Sequence, residues 1–283
     1  MHIRSGQSGD YGVMYSDGVN TVSCRKIDGT IEYMVTENAR LQPWLYRVPV
    51  LRVMEKLRLM FKNTHEHSYF LKGVDVAPKR MPFYLRFVLF MLVVAPIYFL
   101  LMWLVWELTR PFPNYVLELL FEAVMMYGIF MAIVSSSMSA ASKRYHSAEH
   151  QAINAYRELG GRQPSLVQCM QASRFHASCG TGAAFSVAVG VFLTLLVFYS
   201  FVPLPDFFTY CLLNFLLFPL GVSIGLELFS LIPNLYRWTG ITLLVYPSFL
   251  LQRFTTKKAT SDEVEIAMLA IERLLMEQVK VNR

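Results

Sequence analysis

The chain has 283 residues, 54% of them hydrophobic and only 16% charged, with a mean hydropathy of +0.39. A globular domain in water carries about 25% charged residues, so this composition excludes an ordinary cytosolic enzyme or a disordered chain. It also argues against specific nucleic-acid binding despite a net charge of +6.

The first signal along the chain is a β-hairpin, with runs 21–27 and 30–35 flanking Asp28-Gly29, a two-residue turn pair. Pro49 then opens a helical stretch. Leu51, Met54, Leu57 and Phe61 share one face, ringed by Arg52, Lys56, Arg58 and Lys62. A basic amphipathic helix of this kind suits a membrane surface or the protein's own core equally well. His65-Glu66-His67 follows in what reads as a polar connector, where solvated side chains are the plainer reading than metal ligands.

Four apolar runs come next: 83–106, 115–134, 183–202 and 207–232. About 20 apolar residues cross a hydrocarbon core of ~30 Å as a helix, and a helix satisfies its own backbone where no water can. The second run carries Glu118 and Glu122 and the fourth carries Glu227, each costly in hydrocarbon. The stretch 239–251 is too short to span, contains Pro247, and reads as re-entrant or interfacial. A last helix is expected from Ser261 as cap, with Asp262, Glu263 and Glu265 suiting its dipole.

Charge sets the expected orientation. The links within each pair of spans are nearly free of basic residues, whereas the N-terminal, middle and C-terminal segments are rich in them. Basic residues stay on the cytoplasmic side. The expected fold is a mainly α polytopic membrane protein with about four transmembrane helices in two hairpins, a small N-terminal β-hairpin and cytosolic helices. Residues 1–80 form a cytosolic region, 81–136 a first membrane hairpin, 137–182 a cytosolic motif segment, 183–236 a second hairpin, and 237–283 the interfacial segment and final helix. Both termini face the cytoplasm of a bacterial-type plasma membrane, and the basic excess is explained by topology and anionic lipid.

The chemistry concentrates in the middle segment. Residues 139–159 contain no Pro or Gly and read as a helix ending at Gly160-Gly161. His146 and His150 are i and i+4 on it, about 40° apart around the axis, so both imidazoles can reach one metal ion. Glu149 sits to the side, placed to act on a bound water. This His-x-x-Glu-His order is the inverted zinc-protease motif. His176-x-x-Cys179 supplies two further candidate ligands, and Gly180 and Gly182 allow the chain to turn back. Four protein ligands would close a tetrahedral zinc site and make it structural, whereas three plus water would make it catalytic. Glu227, roughly 8 Å from its end of the fourth run, is a possible accessory residue.

His146-Ser-Ala-Glu149-His150, Ala155-Tyr156-Arg157-Glu158 and His176-x-x-Cys179-Gly180-Thr181 together resemble the YqhQ-type membrane proteins, which carry domain of unknown function 1385 and are labelled predicted metal-dependent enzymes. Gly6-Gln7-Ser8, Gly12-Val13-Met14 and 251–256 are similar to further blocks of that family. The sequence departs from the family pattern at Tyr11, Ser147, Ala177, Ser178 and Gly182, but keeps every ligand candidate and Glu149. The resemblance implies a polytopic architecture and a metal site.

Two functions follow. One is a cytosol-facing zinc hydrolase in which His146 and His150 bind the metal, His176 or Cys179 completes the protein ligands, and Glu149 is the general base. The other is a non-enzymatic assembly, insertion or regulatory factor with a structural zinc. The expected partners are the lipid bilayer, other membrane proteins or ribosome-associated machinery, and a second copy of the chain. An ion path through Glu118, Glu122 and Glu227 is disfavoured, because four spans are few and no pair of broken helices is evident.

Overall fold

The computed structural model describes residues 3, 5–38, 49–79, 81, 85, 92, 95–109, 114–202, 206–239 and 245–281. The chain divides into two compact units. The first comprises Met1–Ala77, Val134–Ala177 and Ser248–Arg283, and the second Pro78–Ile133 and Ser178–Pro247.

The first unit is built on a four-stranded antiparallel meander, β1 (Ser5–Ser8), β2 (Gly12–Ser16), β3 (Asn20–Ile27) and β4 (Thr30–Glu37), in spatial order β1-β2-β3-β4. The Asp28-Gly29 turn closes β3 onto β4 with Ile27 opposite Thr30. Both turn residues have positive φ, 50° and 80°, as a twisted two-residue hairpin demands. The expected hairpin is therefore the far half of a larger sheet. β1, with no apolar residue, and β2, with three apolar residues in a row, lack the alternation that marks a strand in sequence.

Side chains alternate across a strand, and the two faces of this sheet have different coverings. Val13, Tyr15, Val22 and Cys24 join the main core with α4 (Ala140–Glu158) and α9 (Ser261–Val281), supplied by Ala148, Ala152, Ile153, Ile266, Ile271 and Leu274. Met14 points the other way and packs on Phe70 and Leu71 at the end of α1 (Pro49–Phe70). Ser23 shares that second face and meets His67. Helix α1 thus runs through the expected connector, and His67 is fully buried. The side chains of Leu51, Met54, Leu57, Phe61, Arg52 and Lys56, on which the amphipathic reading rests, lie outside the described residues.

Helix boundaries follow from local chemistry. The Ser139 hydroxyl accepts from the Ser142 N–H at 3.0 Å and starts α4, while Gly160 and Gly161, both at positive φ, stop it. At α9 the Glu263 carboxylate accepts the Thr260 N–H at 2.6 Å. The Glu263 side chain thus reaches back to Thr260, the residue before the helix, rather than to Ser261, its first residue. Glu263 also takes the Arg144 Nε–H at 2.6 Å. Burial works to raise this carboxyl, but the hydrogen bonds from Thr260 and Arg144 outweigh it and hold the group below its ordinary range. Helix α8 (Tyr246–Thr255) occupies the latter part of the expected interfacial stretch and buries Ser248, Gln252 and Thr255.

The second unit contains α2 (Ala95–Thr109), most of α3 (Tyr115–Ser137), α6 (Gly180–Tyr199) and α7 (Phe207–Thr239). A short helix, α5 (Leu166–Gln171), belongs to the first unit. Tyr115–Ser137, Gly180–Tyr199 and Phe207–Ile232 are long and apolar enough to cross a membrane. Only 17% of the Tyr115–Ser137 window is buried within the protein, and Leu117, Val124, Phe130 and Ile133 are exposed on it. Contiguous apolar exposure of this extent calls for an apolar solvent, so these helices contact the bilayer. Most of 83–94, the first half of the first expected span, lies outside the described residues, and its remainder is α2.

Helices α6 and α7 form a close antiparallel pair around small residues. Ser186 and Gly190 face Gly221 and Gly225, at i and i+4 on each helix. A Cβ at Gly190 would overlap the Gly221 carbonyl oxygen and lie 2.6 Å from Gly225 Cα, and one at Gly221 would lie 2.7 Å from Val191 Cα. Small residues let membrane helices approach closely where no hydrophobic force drives them together.

Candidate metal centre

Helix α4 carries a polar stripe, His146, His150, Asn154 and Arg157, on a helix whose opposite side is alanine-rich core. The i, i+4 spacing brings the His146 and His150 rings to 4.4 Å between centroids. Each ring is oriented by a backbone carbonyl. His146 Nδ1 lies 3.0 Å from the Thr255 oxygen, and His150 Nδ1 lies 2.7 Å from the Arg174 oxygen. A carbonyl can only accept, so both Nδ1 atoms carry the proton and both Nε2 atoms carry the lone pair. Metal-binding histidines are commonly held in this way.

The segment after α5 is tied down by side chains that the motif reading did not include. Asn154 Nδ2 donates to the Ser173 and Phe175 carbonyls at 2.7 and 2.9 Å. Fully buried Gln252 on α8 clasps the His176 backbone from both sides. Its Oε1 accepts the His176 N–H at 2.8 Å and its Nε2 donates to the His176 oxygen at 2.9 Å. Asn154 was in principle legible as the next i+4 step after His150. Gln252, about a hundred positions away in sequence, offered no such signal.

Cys179 follows His176 by three residues and is the N-cap of α6. One ligand atom from each of His146, His150 and Cys179 lies within 4.8 Å of the others, and this cluster could hold a metal ion. His150 and Cys179 are buried and His146 is half-buried. Two imidazoles and a thiolate are a donor set for a borderline or soft cation.

His176 is not part of that cluster. Its ring is 5.6 Å from that of His150, but its Nε2 accepts from Arg157 Nη1 at 2.5 Å. Burial first, then the Arg157 charge and the other two histidines, push its pKa well below the ordinary histidine range. Glu149 is buried on the flank of α4, with its carboxylate against strand β1. A Cβ at Gly6 would lie 2.9 Å from the carboxyl carbon, so the glycine makes room for it. Glu149's own carbonyl accepts from the buried Tyr15 hydroxyl at 2.9 Å. Glu227 is half-buried on α7 in the second unit.

Residues 55–277 match the family described as a protein of unknown function, DUF1385. The chain belongs to that family. It is 30% identical over 176 residues to the uncharacterized protein YqhQ of Bacillus subtilis (strain 168), an alignment covering 60% of this chain and 53% of that protein. The chain thus spans about half the length of this curated relative. No solved structure matches. Family membership and the three apolar helices together describe a membrane protein with a histidine–cysteine cluster able to hold a metal.

Proposed function

We propose that this protein is a membrane-integral, metal-dependent hydrolase with three protein ligands, His146, His150 and Cys179, and an open fourth position. Zinc is the metal best suited to two imidazoles and a thiolate at this spacing. The observation that carries the reading is the pair of Nδ1–carbonyl hydrogen bonds, which fix the tautomers that ligation needs. The pairing of His176 with Arg157 favours three ligands over four, and so favours catalysis over a purely structural metal.

The chain's own groups then have distinct roles. His146 and His150 present Nε2, and the carbonyls of Thr255 and Arg174 keep the rings from turning. Gln252 and Asn154 hold the segment leading to Cys179. A divalent metal bound there supplies Lewis acidity. Glu149 is the candidate general base, taking a proton from an attacking water in a buried setting. Arg157 keeps His176 out of the ligand set.

The membrane topology is proposed on the same footing. The N-terminal sheet, α4 and α9 share one core, which supports a topology with the segments before, between and after the apolar helices on one side of the bilayer. Helices α6 and α7 cross as a pair. If α3 crosses, a segment within 81–109 must cross as well, which gives four spans in two hairpins. Both termini then face the cytoplasm by charge bias. Metal analysis of the purified chain, combined with Glu149→Gln, tests the functional reading. The variant retains one metal per chain and loses hydrolysis of peptide or ester probes. Reporter fusions at residues 1, 112, 204 and 283 test the topology.

A further inference from the structure

The second unit contains a buried polar cluster that the metal centre does not use. Glu122 on α3 is 8% exposed and accepts a hydrogen bond from the Tyr210 hydroxyl on α7. Asn214 stands one turn after Tyr210 on the same face of α7. Tyr199, the last residue of α6, stacks on Tyr210 with centroids 5.5 Å apart. The Glu122 charge acts on Tyr199 and Tyr210, and the Asn214 amide comes close enough to act on the Tyr210 hydroxyl. A carboxylate, two phenols and an amide thus converge from three helices. Met102, Leu119 and Leu195 wall them in.

The accounting of polar groups does not close among the described residues. Among them, the Asn214 Oδ1 and the Tyr199 hydroxyl are buried without a hydrogen-bond partner, although these residues are only 5% and 6% exposed. Among apolar helices in a bilayer such groups are expensive to leave unmatched, and a carboxylate at that depth is a functional candidate by default.

We propose that Glu122, Tyr199, Tyr210 and Asn214 form an intramembrane site for a small monovalent cation, with sodium the best match. All four side chains offer oxygen, the donor that hard cations prefer. One carboxylate cancels one positive charge, so a monovalent ion leaves the buried cluster neutral, whereas a divalent ion leaves a net charge in low dielectric. Glu118, one turn nearer the start of α3 and half-buried, interacts electrostatically with Glu122 but lies outside the four-residue cluster, so the charge to be balanced inside it is that of Glu122.

The test uses the full chain in detergent or nanodiscs, with sodium chloride exchanged for N-methylglucamine chloride at constant ionic strength. The melting temperature rises saturably with sodium, by about 5 °C at roughly 100-fold above the dissociation constant. The rise disappears in Glu122→Gln and Asn214→Leu and persists in His150→Ala, which separates this site from the metal centre. Radioactive sodium binding to the unaltered protein needs no variant to fold, and one saturable site is expected. Equal melting in both salts with no saturable sodium binding would overturn the proposal and leave a self-contained hydrogen-bonded cluster. A stronger response to calcium than to sodium would overturn it too.

Discussion

His67 and His150 are both buried in the first unit, yet their surroundings assign them different chemistry. On the α1 side of the sheet, His67 Nδ1 meets the Ser23 hydroxyl and Nε2 meets the Thr36 hydroxyl, each at 2.7 Å. A hydroxyl can donate or accept, so a neutral ring satisfies both, and neither nitrogen remains for a ligand. On α4, His150 Nδ1 meets a backbone carbonyl that can only accept, and the ring of His146, held in the same way, lies beside it. A histidine with both ring nitrogens engaged has none left for a ligand, whereas one held through Nδ1 by a carbonyl keeps Nε2 available. The His65-Glu66-His67 run and the His146–His150 pair, similar as sequence, separate on that ground.

The strongest way to break this comparison is to remove one ring from each place. His150→Ala is expected to abolish stoichiometric metal binding, measured by elemental analysis of the purified protein, while His67→Phe keeps one metal per chain. Retention of metal by His150→Ala would contradict the assignment. The His67 substitution acts on stability instead. It strands the buried Ser23 hydroxyl, worth about 1–3 kcal/mol, and the half-buried Thr36 hydroxyl, worth less, so a loss of about 3 kcal/mol in denaturant unfolding is expected.

Acid sharpens the same contrast. Burial lowers the His67 pKa from 6.5 to about 4, so below pH 6.5 the unfolded chain takes up a proton that the native ring refuses. Native stability should fall as pH drops from 6.5 to about 4 and then level off, by about 3 kcal/mol in total. Metal-free His67→Phe should lack this component, so the stability gap between the two proteins should narrow by that amount at pH 4. A constant gap would show that His67 titrates normally.

Smaller effects are expected one step from the ligands. Asn154→Ala releases the Ser173 and Phe175 carbonyls without touching a ligand, and metal affinity should fall about 10-fold, in the range found for supporting hydrogen bonds. Gly6→Ala crowds the Glu149 carboxylate, so hydrolysis of the probe should fall with metal content unchanged. If metal is lost as well, Glu149 supports the fold of α4 rather than the chemistry.

The local features were legible in the sequence. The limits of α4, the Asp28-Gly29 turn, the three long apolar helices and the pairing of His146 with His150 rest on spacing within a few residues or on uninterrupted apolarity. What was not legible depends on distant partners. Buried Arg25 is held by Glu32, Asp75 and the Phe70 carbonyl, and it stacks on the Phe70 ring at 4.0 Å. His67 is buried only because β3 and β4 bring hydroxyls to it. His176 looked equivalent to Cys179 as a ligand, and only the fold reveals that Arg157, five turns along α4 from its start, occupies its Nε2. At the start of α9 Glu263 reaches back to Thr260 rather than to Ser261, a choice between adjacent residues that propensity cannot make.

The central claim is a three-ligand centre with one exchangeable position. X-ray absorption at the metal edge of the purified, unaltered protein tests it most directly. The predicted spectrum has two imidazole nitrogens, one sulfur and one light atom that changes when a small anion is added. A centre with three imidazoles, one sulfur and no response to the anion would contradict it, as would the absence of any stoichiometric metal.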